Sequence, residues 1–458
     1  MVNVKKLLFT IVIIAPMLAS GLPTAYASVR FDDFQGRAAF LAEIDTGQVL
    51  FEHNSDVRHP ADSLTRIMTL LLAASAIDRG DADPSDLVEM TETAWLDISP
   101  IGTTQNIMPG EIMTLHDLMY AAFVGSANEA SNLIAEHIAG SVGAFVIMMN
   151  AKARELGSVN TNFTNTHGQH NPVQFTTAAD QFLIFREALG YSLFVEISST
   201  HRYTTSSTNM SQPRNLFSTN ALIDSNTKYF FRHSSSGHAS ITFEGGYSYI
   251  GFAETEDLAL VSIVLGSDAV IHEDESVTMR NLWEARRLFE WGFANFGWRS
   301  ILSLGELVDR IPVIHGAGAD FVNLRADSSI RLLLDNEFPL EAFDRDITFY
   351  SPYLYAPIEA GEVLGEITFT LNGVEKGTVL LLANTSIELH RIEYIRVRII
   401  EAMSTRAARI FIAVLLALIL GYAALVVRYN VIRHRRLRAI EETQSKLIEE
   451  RKKNSHRY

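Results

Sequence analysis

Ser63-Leu64-Thr65-Arg66 opens a strongly apolar helical stretch, and a spacing of three puts Ser63 and Arg66 on one helix face. A hydroxyl with a basic group one turn away is a nucleophile-and-partner arrangement, the kind used in covalent catalysis by an oxygen. An isolated serine here would simply cap the helix. A cation in the first turn opposes the helix dipole, which makes Arg66 an unusual neighbour for a plain cap. A second pair, Ser126-Ala127-Asn128, falls between two expected helices. Alone it reads as a common interhelical turn; it gains weight from its order and context behind Ser63.

Other reactive side chains carry less. The chain of 458 residues has no cysteine, which excludes disulfides, thiolate metal sites and cysteine nucleophiles. His201, His233 and His238 show no pair at helical ligand spacing beside a carboxylate motif, so no metal site and no cofactor are expected. His167, in Asn165-Thr166-His167-Gly168, reads as a structural loop residue. Glu43 and Asp45 read as hairpin residues, and Met148-Met149 as helix core.

The elements that must position these residues follow from period and punctuation. Strand-like runs at 38–44 and 48–51 flank the turn Asp45-Thr46-Gly47. Helices are expected over 64–77, over 115–124 behind the capping box Thr114-x-x-Asp117, over 129–139 before Gly140, over 143–156 before Gly157, and over 178–189 before Gly190. Strands return at 246–252 and 258–265, and 277–293 reads as an amphipathic helix. Strands at both ends with helices between imply an α+β domain with one antiparallel sheet. After Trp298 short β-like runs take over, with Asn372-Gly373 as a hairpin signal.

The two ends differ from the middle. Lys5 and Lys6, an apolar run and Ala25-Tyr26-Ala27 have the layout of a secretory signal peptide, 1–27. Residues 410–427 are uncharged and apolar, about 27 Å of helix against a bilayer core of roughly 30 Å. Arg428, Arg433, Arg435, Arg436 and Arg438 follow, which is expected to hold that side in the cytoplasm. The expected plan is 28–297 as first domain, 298–395 as an all-β domain, 396–409 as juxtamembrane linker, 410–427 as a transmembrane helix, and 428–458 as a basic tail, either a solvated helix or without stable structure. The net charge is −15, of which 428–458 holds +6 and 1–27 holds +2, so 28–427 carries −23. Nucleic acid is not an expected partner of so acidic an ectodomain.

Taken in order, Ala38-Ala39-Phe40-Leu41, Asp45-Thr46-Gly47-Gln48-Val49-Leu50, Ala61-Asp62-Ser63-Leu64-Thr65-Arg66-Ile67-Met68-Thr69, Pro109-Gly110-Glu111, Ser126-Ala127-Asn128-Glu129-Ala130, Glu136-His137-Ile138-Ala139-Gly140, Asn165-Thr166-His167-Gly168 and Pro357-Ile358-Glu359-Ala360-Gly361 resemble the low-molecular-mass penicillin-binding proteins, the serine D-Ala-D-Ala carboxypeptidases. The likeness spans about 30–395. It implies a bacterial, membrane-anchored cell-wall protein with its ectodomain outside the cytoplasm, and a penicillin-binding, serine β-lactamase-like domain followed by a small all-β domain. It also implies the peptidoglycan stem peptide as substrate, with β-lactams as further ligands; protein partners are not indicated. By the same resemblance Ser63 is the nucleophile, Ser126 and Asn128 are the second-motif relay and substrate donor, and the oxyanion hole uses the Ser63 N–H and one N–H from the third-motif strand.

Two positions depart from the family pattern. The first-motif lysine is Arg66. Burial can lower a lysine from about 10.4 by roughly 3–5 units, which makes it a base at neutral pH; the same shift leaves an arginine at about 8–10 and still charged. The third motif, Lys-Thr-Gly in the family, falls on His238-Ala239-Ser240 counted back from Gly246-Tyr247, or on Ser235-Ser236-Gly237 three residues earlier. Both lack the lysine; in the first, Ser240 replaces the glycine that lets a substrate backbone approach. Three readings stay open: a carboxypeptidase using a substitute base, a pseudoenzyme that binds peptidoglycan or a wall-synthesis partner, and a β-lactamase or esterase.

Overall fold

The computed structural model describes residues 31–272 and 277–454. The expected signal peptide, 1–27, lies outside the described residues. The chain divides into two compact units, one running to Arg299 and including Leu332–Pro339, the other Ser300–Arg331 with everything from Leu340 onward.

The first unit is built on an antiparallel sheet of β1 (Ala38–Glu43), β2 (Val49–His53), β3 (Ser234–Thr242), β4 (Gly246–Glu254) and β5 (Ala259–Ser267), in the order β2-β1-β5-β4-β3. Side chains alternate between faces along each strand. Ala38, Phe40 and Ala42 with Val261, Ile263 and Leu265 face a helical core, while Ala39 and Leu41 with Leu260 and Val264 face a second core. The longer helices are α1 (Thr65–Asp78), α2 (Leu115–Phe123), α3 (Asn128–Ala139), α4 (Val142–Glu155), α5 (Ala178–Ala188) and α6 (Arg280–Asn295), with a short helix at Ser192–Ser198 between the last two. Helix α1 is buried on all sides from Thr65 to Ala76, as an apolar helix without a polar face must be. The caps of α2, α4 and α5 are Thr114, Ser141 and Thr177, each accepting a backbone N–H three residues on.

Helix α6 starts at Arg280, later than the 277 expected, because Val277–Met279 pairs as a strand with Ala269–Ile271. Its apolar face, Leu282, Ala285, Leu288 and Phe289, covers the second core. The first unit also reclaims a segment. Phe296–Leu302 and Ile330–Asp335 form a two-stranded ribbon, and Leu333 joins the second core while its carbonyl accepts from Gln48 Nε2 at 3.0 Å. Where a single boundary at 297–298 was expected, the chain crosses between the two units three times, after Arg299, after Arg331 and after Pro339.

The second unit holds a six-stranded sheet of β6 (Leu307–Ile314), β7 (Phe321–Ala326), β8 (Asp344–Phe349), β9 (Leu354–Tyr355), β10 (Val363–Leu371) and β11 (Val374–Ala383), ordered β8-β10-β11-β7-β6-β9. Asn372 and Gly373 join β10 to β11, both with positive φ, as a two-residue type I′ hairpin requires. The last strand ends at Ala383, and α7 (Arg391–Ser404) occupies the end of the expected β domain and most of the expected linker. His390 caps it by accepting the Glu393 N–H at 3.2 Å. Helix α8 (Arg406–Asn454) carries an 18-residue stretch of mean hydropathy 3.0, none of it buried, consistent with a single transmembrane anchor. It continues without a break to Asn454.

Candidate active site

Ser63 lies in one turn of 3₁₀ helix, Asp62–Leu64, that feeds directly into α1. The turn is tight: Asp62 has φ +44, a left-handed conformation that aspartate tolerates better than most residues. Two glycines make room for it. A Cβ on Gly168 would overlap the Asp62 carbonyl, and one on Gly245 would overlap its carboxylate. The Asn165-Thr166-His167-Gly168 loop therefore backs the nucleophile turn, with Thr69 Oγ1 donating to Thr166 O at 2.6 Å.

The Ser63 hydroxyl is 3.3 Å from His238 Nε2, and the Ser63 backbone N–H donates to Ser240 Oγ at 3.2 Å. Both partners are buried on β3. Ala239 lies between them in sequence and points away, into the second core beside Tyr249, as strand alternation dictates. The substrate-binding expectation for 238–240 therefore divides: His238 and Ser240 reach the turn, while the Ala239 side chain does not. In the earlier alignment, Ser236 pairs with Ser198 and Gly237 packs on Ile250 and Gly251 of β4. Those residues serve sheet packing.

Arg66 is the second residue of α1, one turn on from Ser63, and is 5 % exposed. Its Nη2 donates to Asn128 Oδ1 at 2.6 Å and to Ser126 O at 3.0 Å, while Nε has no partner. Burial pushes the guanidinium down to about 10, partly opposed by the Glu129 carboxylate, so it stays a cation at neutral pH. Ser126 holds a left-handed turn, φ +55, between α2 and α3, which aims its carbonyl at Arg66. The Asn128 N–H donates to Thr103 O at 3.0 Å. Four expected residues, Ser63, Arg66, Ser126 and Asn128, are thus drawn together with His238 and Ser240 around one turn.

The histidines separate clearly. Burial first, and the Arg66 charge second, push His238 down to about 3, leaving a neutral imidazole, tilted against the Phe123 ring at 4.8 Å. The same causes push His167 down to about 3; its Nδ1 accepts the Gln169 N–H at 3.1 Å, a loop-holding bond. His201 lies 3.6 Å from Asp224, and His233 takes a hydrogen bond from Arg232 Nε. Asp62 and its partner Thr242 escaped the sequence reading. The Asp62 carboxyl accepts from Thr242 Oγ1 at 2.8 Å, is pushed up by burial, and keeps Oδ1 without a partner.

Residues 25–269, more than half of the chain, match the profile of peptidase S11, D-alanyl-D-alanine carboxypeptidase. The chain belongs to this family. Among its relatives, the D-alanyl-D-alanine carboxypeptidase DacF of Bacillus subtilis is 28% identical over 376 residues, 81% of this chain and 91% of DacF. DacC of Escherichia coli is 28% identical over 374 residues, 79% and 88% of the respective chains. In structure, penicillin binding protein 5 of Haemophilus influenzae superposes with TM-score 0.58 at 24% identity, covering 79% of this chain and 99% of that one. Penicillin binding protein 6B of Escherichia coli gives 0.58 at 22% identity, covering 78% and 98%. These two likenesses establish the fold. Arg66, expected from the resemblance at the place of the first-motif lysine, has its guanidinium bonded to Asn128 and Ser126.

Proposed function

We propose that this protein is a cell-wall member of the D-alanyl-D-alanine carboxypeptidase family that engages the peptidoglycan stem peptide in the Ser63 cleft without turning it over at the family's rate. The observation that carries this reading is the direction of Arg66. A general base must reach the proton it removes. Arg66 instead donates to Asn128 Oδ1 and Ser126 O, and a guanidinium has no lone pair to offer at neutral pH. The relatives' names, carboxypeptidase and penicillin binding protein, supply the ligand class. Helix α8 anchors the protein, and the arginines from Arg428 to Arg438 favour a cytoplasmic C-terminus with both folded units outside.

A second reading has its own support. His238 Nε2 is neutral and 3.3 Å from Ser63 Oγ, the position of a substitute base in a slow carboxypeptidase. The Arg66 charge that depresses His238 also opposes the imidazolium this mechanism needs.

Intact-protein mass spectrometry of the full-length protein with excess benzylpenicillin separates the two, with Ser63→Ala as control. No adduct after hours supports the binding reading. A Ser63-dependent adduct forming within minutes overturns it in favour of the enzyme.

A further inference from the structure

We infer that Ser240 fills the oxyanion site of this cleft, so that β3 itself holds Ser63 off acyl transfer independently of Arg66. The inference rests on the reading of Ser63 as the family nucleophile. Three side chains spaced by two along β3 share one face, and each meets the 62–63 turn. His238 Nε2 lies 3.3 Å from Ser63 Oγ, Ser240 Oγ accepts the Ser63 N–H at 3.2 Å, and Thr242 Oγ1 donates to Asp62 Oδ2 at 2.8 Å. The side chains of the strand clasp it to the nucleophile turn.

The middle contact has a chemical consequence. The Ser63 N–H sits just ahead of α1, where backbone donors have no partner within the helix and point outward. Such a donor stabilises an oxyanion held about 2.7–3.1 Å away. Ser240 Oγ already stands 3.2 Å from that nitrogen, so a hydroxyl and a developing oxyanion compete for one place. Ser240 is 1 % exposed and its backbone is fixed in register opposite Ser248, so the hydroxyl is not a loose surface group. A glycine at 240 leaves both the N–H and the space free. Losing one oxyanion donor costs enzymes roughly 10²–10³ in rate, which sets the scale of the block.

The test is acylation of the full-length protein by benzylpenicillin, followed by intact mass, in four forms: wild type, Arg66→Lys, Ser240→Gly, and the double variant. In the reaction Ser63 Oγ bonds to the lactam carbonyl carbon, the ring C–N bond breaks, and the serine proton ends on the ring nitrogen. The adduct is therefore one whole benzylpenicillin. The expected result is that the double variant labels about 100-fold faster than Arg66→Lys alone. Adding Ser63→Ala to it abolishes the label, and Ser240→Ala, which removes the hydroxyl but keeps a methyl, falls between. A structural role for Ser240 gives no such gain. Equal rates for Arg66→Lys with and without Ser240→Gly overturn the inference while leaving the Arg66 reading intact. Rapid labelling of the wild type overturns the Arg66 reading and the block together. A double variant that melts like wild type by circular dichroism yet never labels also overturns the inference.

Discussion

Arg66 Nη2 lies 2.6 Å from Asn128 Oδ1, so the first-motif cation and the second-motif amide are bonded to each other and not to Ser63. The amide oxygen spent on Arg66 orients the Asn128 side chain. A lysine at 66 is shorter, carries a single nitrogen, and becomes a usable base when buried. Arg66→Lys is expected to raise Ser63-dependent acylation by tenfold or more, read as the pseudo-first-order rate of adduct formation. An unchanged rate would put the main defect in the third motif.

His238 and His167 are both pushed down to about 3 from 6.5 by burial and by Arg66. Between those values the unfolded chain binds protons that the folded one refuses, so this contribution to stability falls as pH drops below about 6.5. The raised carboxyls of Asp62 and Glu129 act in the opposite sense, which makes a variant comparison the cleaner measurement. In His238→Gln, the slope of unfolding free energy against pH between 4 and 6 is expected to decrease by up to about 1.4 kcal/mol per pH unit, the value of one proton. Denaturant titrations of both proteins across that range check it; identical slopes would mean that His238 is protonated in the fold.

Asp62 is a buried carboxyl with one oxygen unpartnered and its titration shifted upward. Its ionisation therefore destabilises the fold as pH rises from the ordinary carboxylate value through the raised one. Asp62→Asn keeps tolerance of positive φ and an oxygen for Thr242 while removing that charge. A higher melting temperature than wild type at pH 8, shrinking toward pH 4, is expected; a lower one at pH 8 would show that the charged form is favoured.

Gly168 combines φ +86 with a Cβ position that overlaps the Asp62 carbonyl. Gly168→Ala is expected to destabilise by roughly 2–4 kcal/mol through backbone strain and overlap. Gly245→Ala meets chiefly the Asp62 carboxylate, with Thr242 Oγ1 next at 3.1 Å, so Asp62→Ala should recover part of its loss. Urea unfolding of the single and double variants measures that coupling. Additive losses would place the two side chains out of contact.

The absence of cysteine gives a clean test of orientation. Ser445→Cys, on α8 beyond the arginines, is expected to react with a membrane-impermeant maleimide only after cell lysis, whereas Ser386→Cys reacts on intact cells stripped of any outer barrier. Reaction of Ser445→Cys on such intact cells would reverse the proposed topology.

The sequence by itself determined what is local or in order along the chain. The start of α1 behind Ser63, the caps at Thr114 and Gly140, the Asn372-Gly373 hairpin and the apolar 410–427 stretch are set by period and turn chemistry within a few residues. The motif order carried the family. Only the tertiary structure decided what those residues face. Ser63 and Ser240 are 177 positions apart, and nothing local says that their N–H and Oγ meet, or that strand alternation sends Ala239 the other way. The helix expected from 277 gave way to a strand at Val277–Met279, and 332–339 returned to the first unit, because pairing partners far along the chain compete with local propensity. The protonation of His238 and the orientation of Arg66 depend on burial and on charges brought in from other elements. These are properties of packed surroundings that residue spacing does not encode.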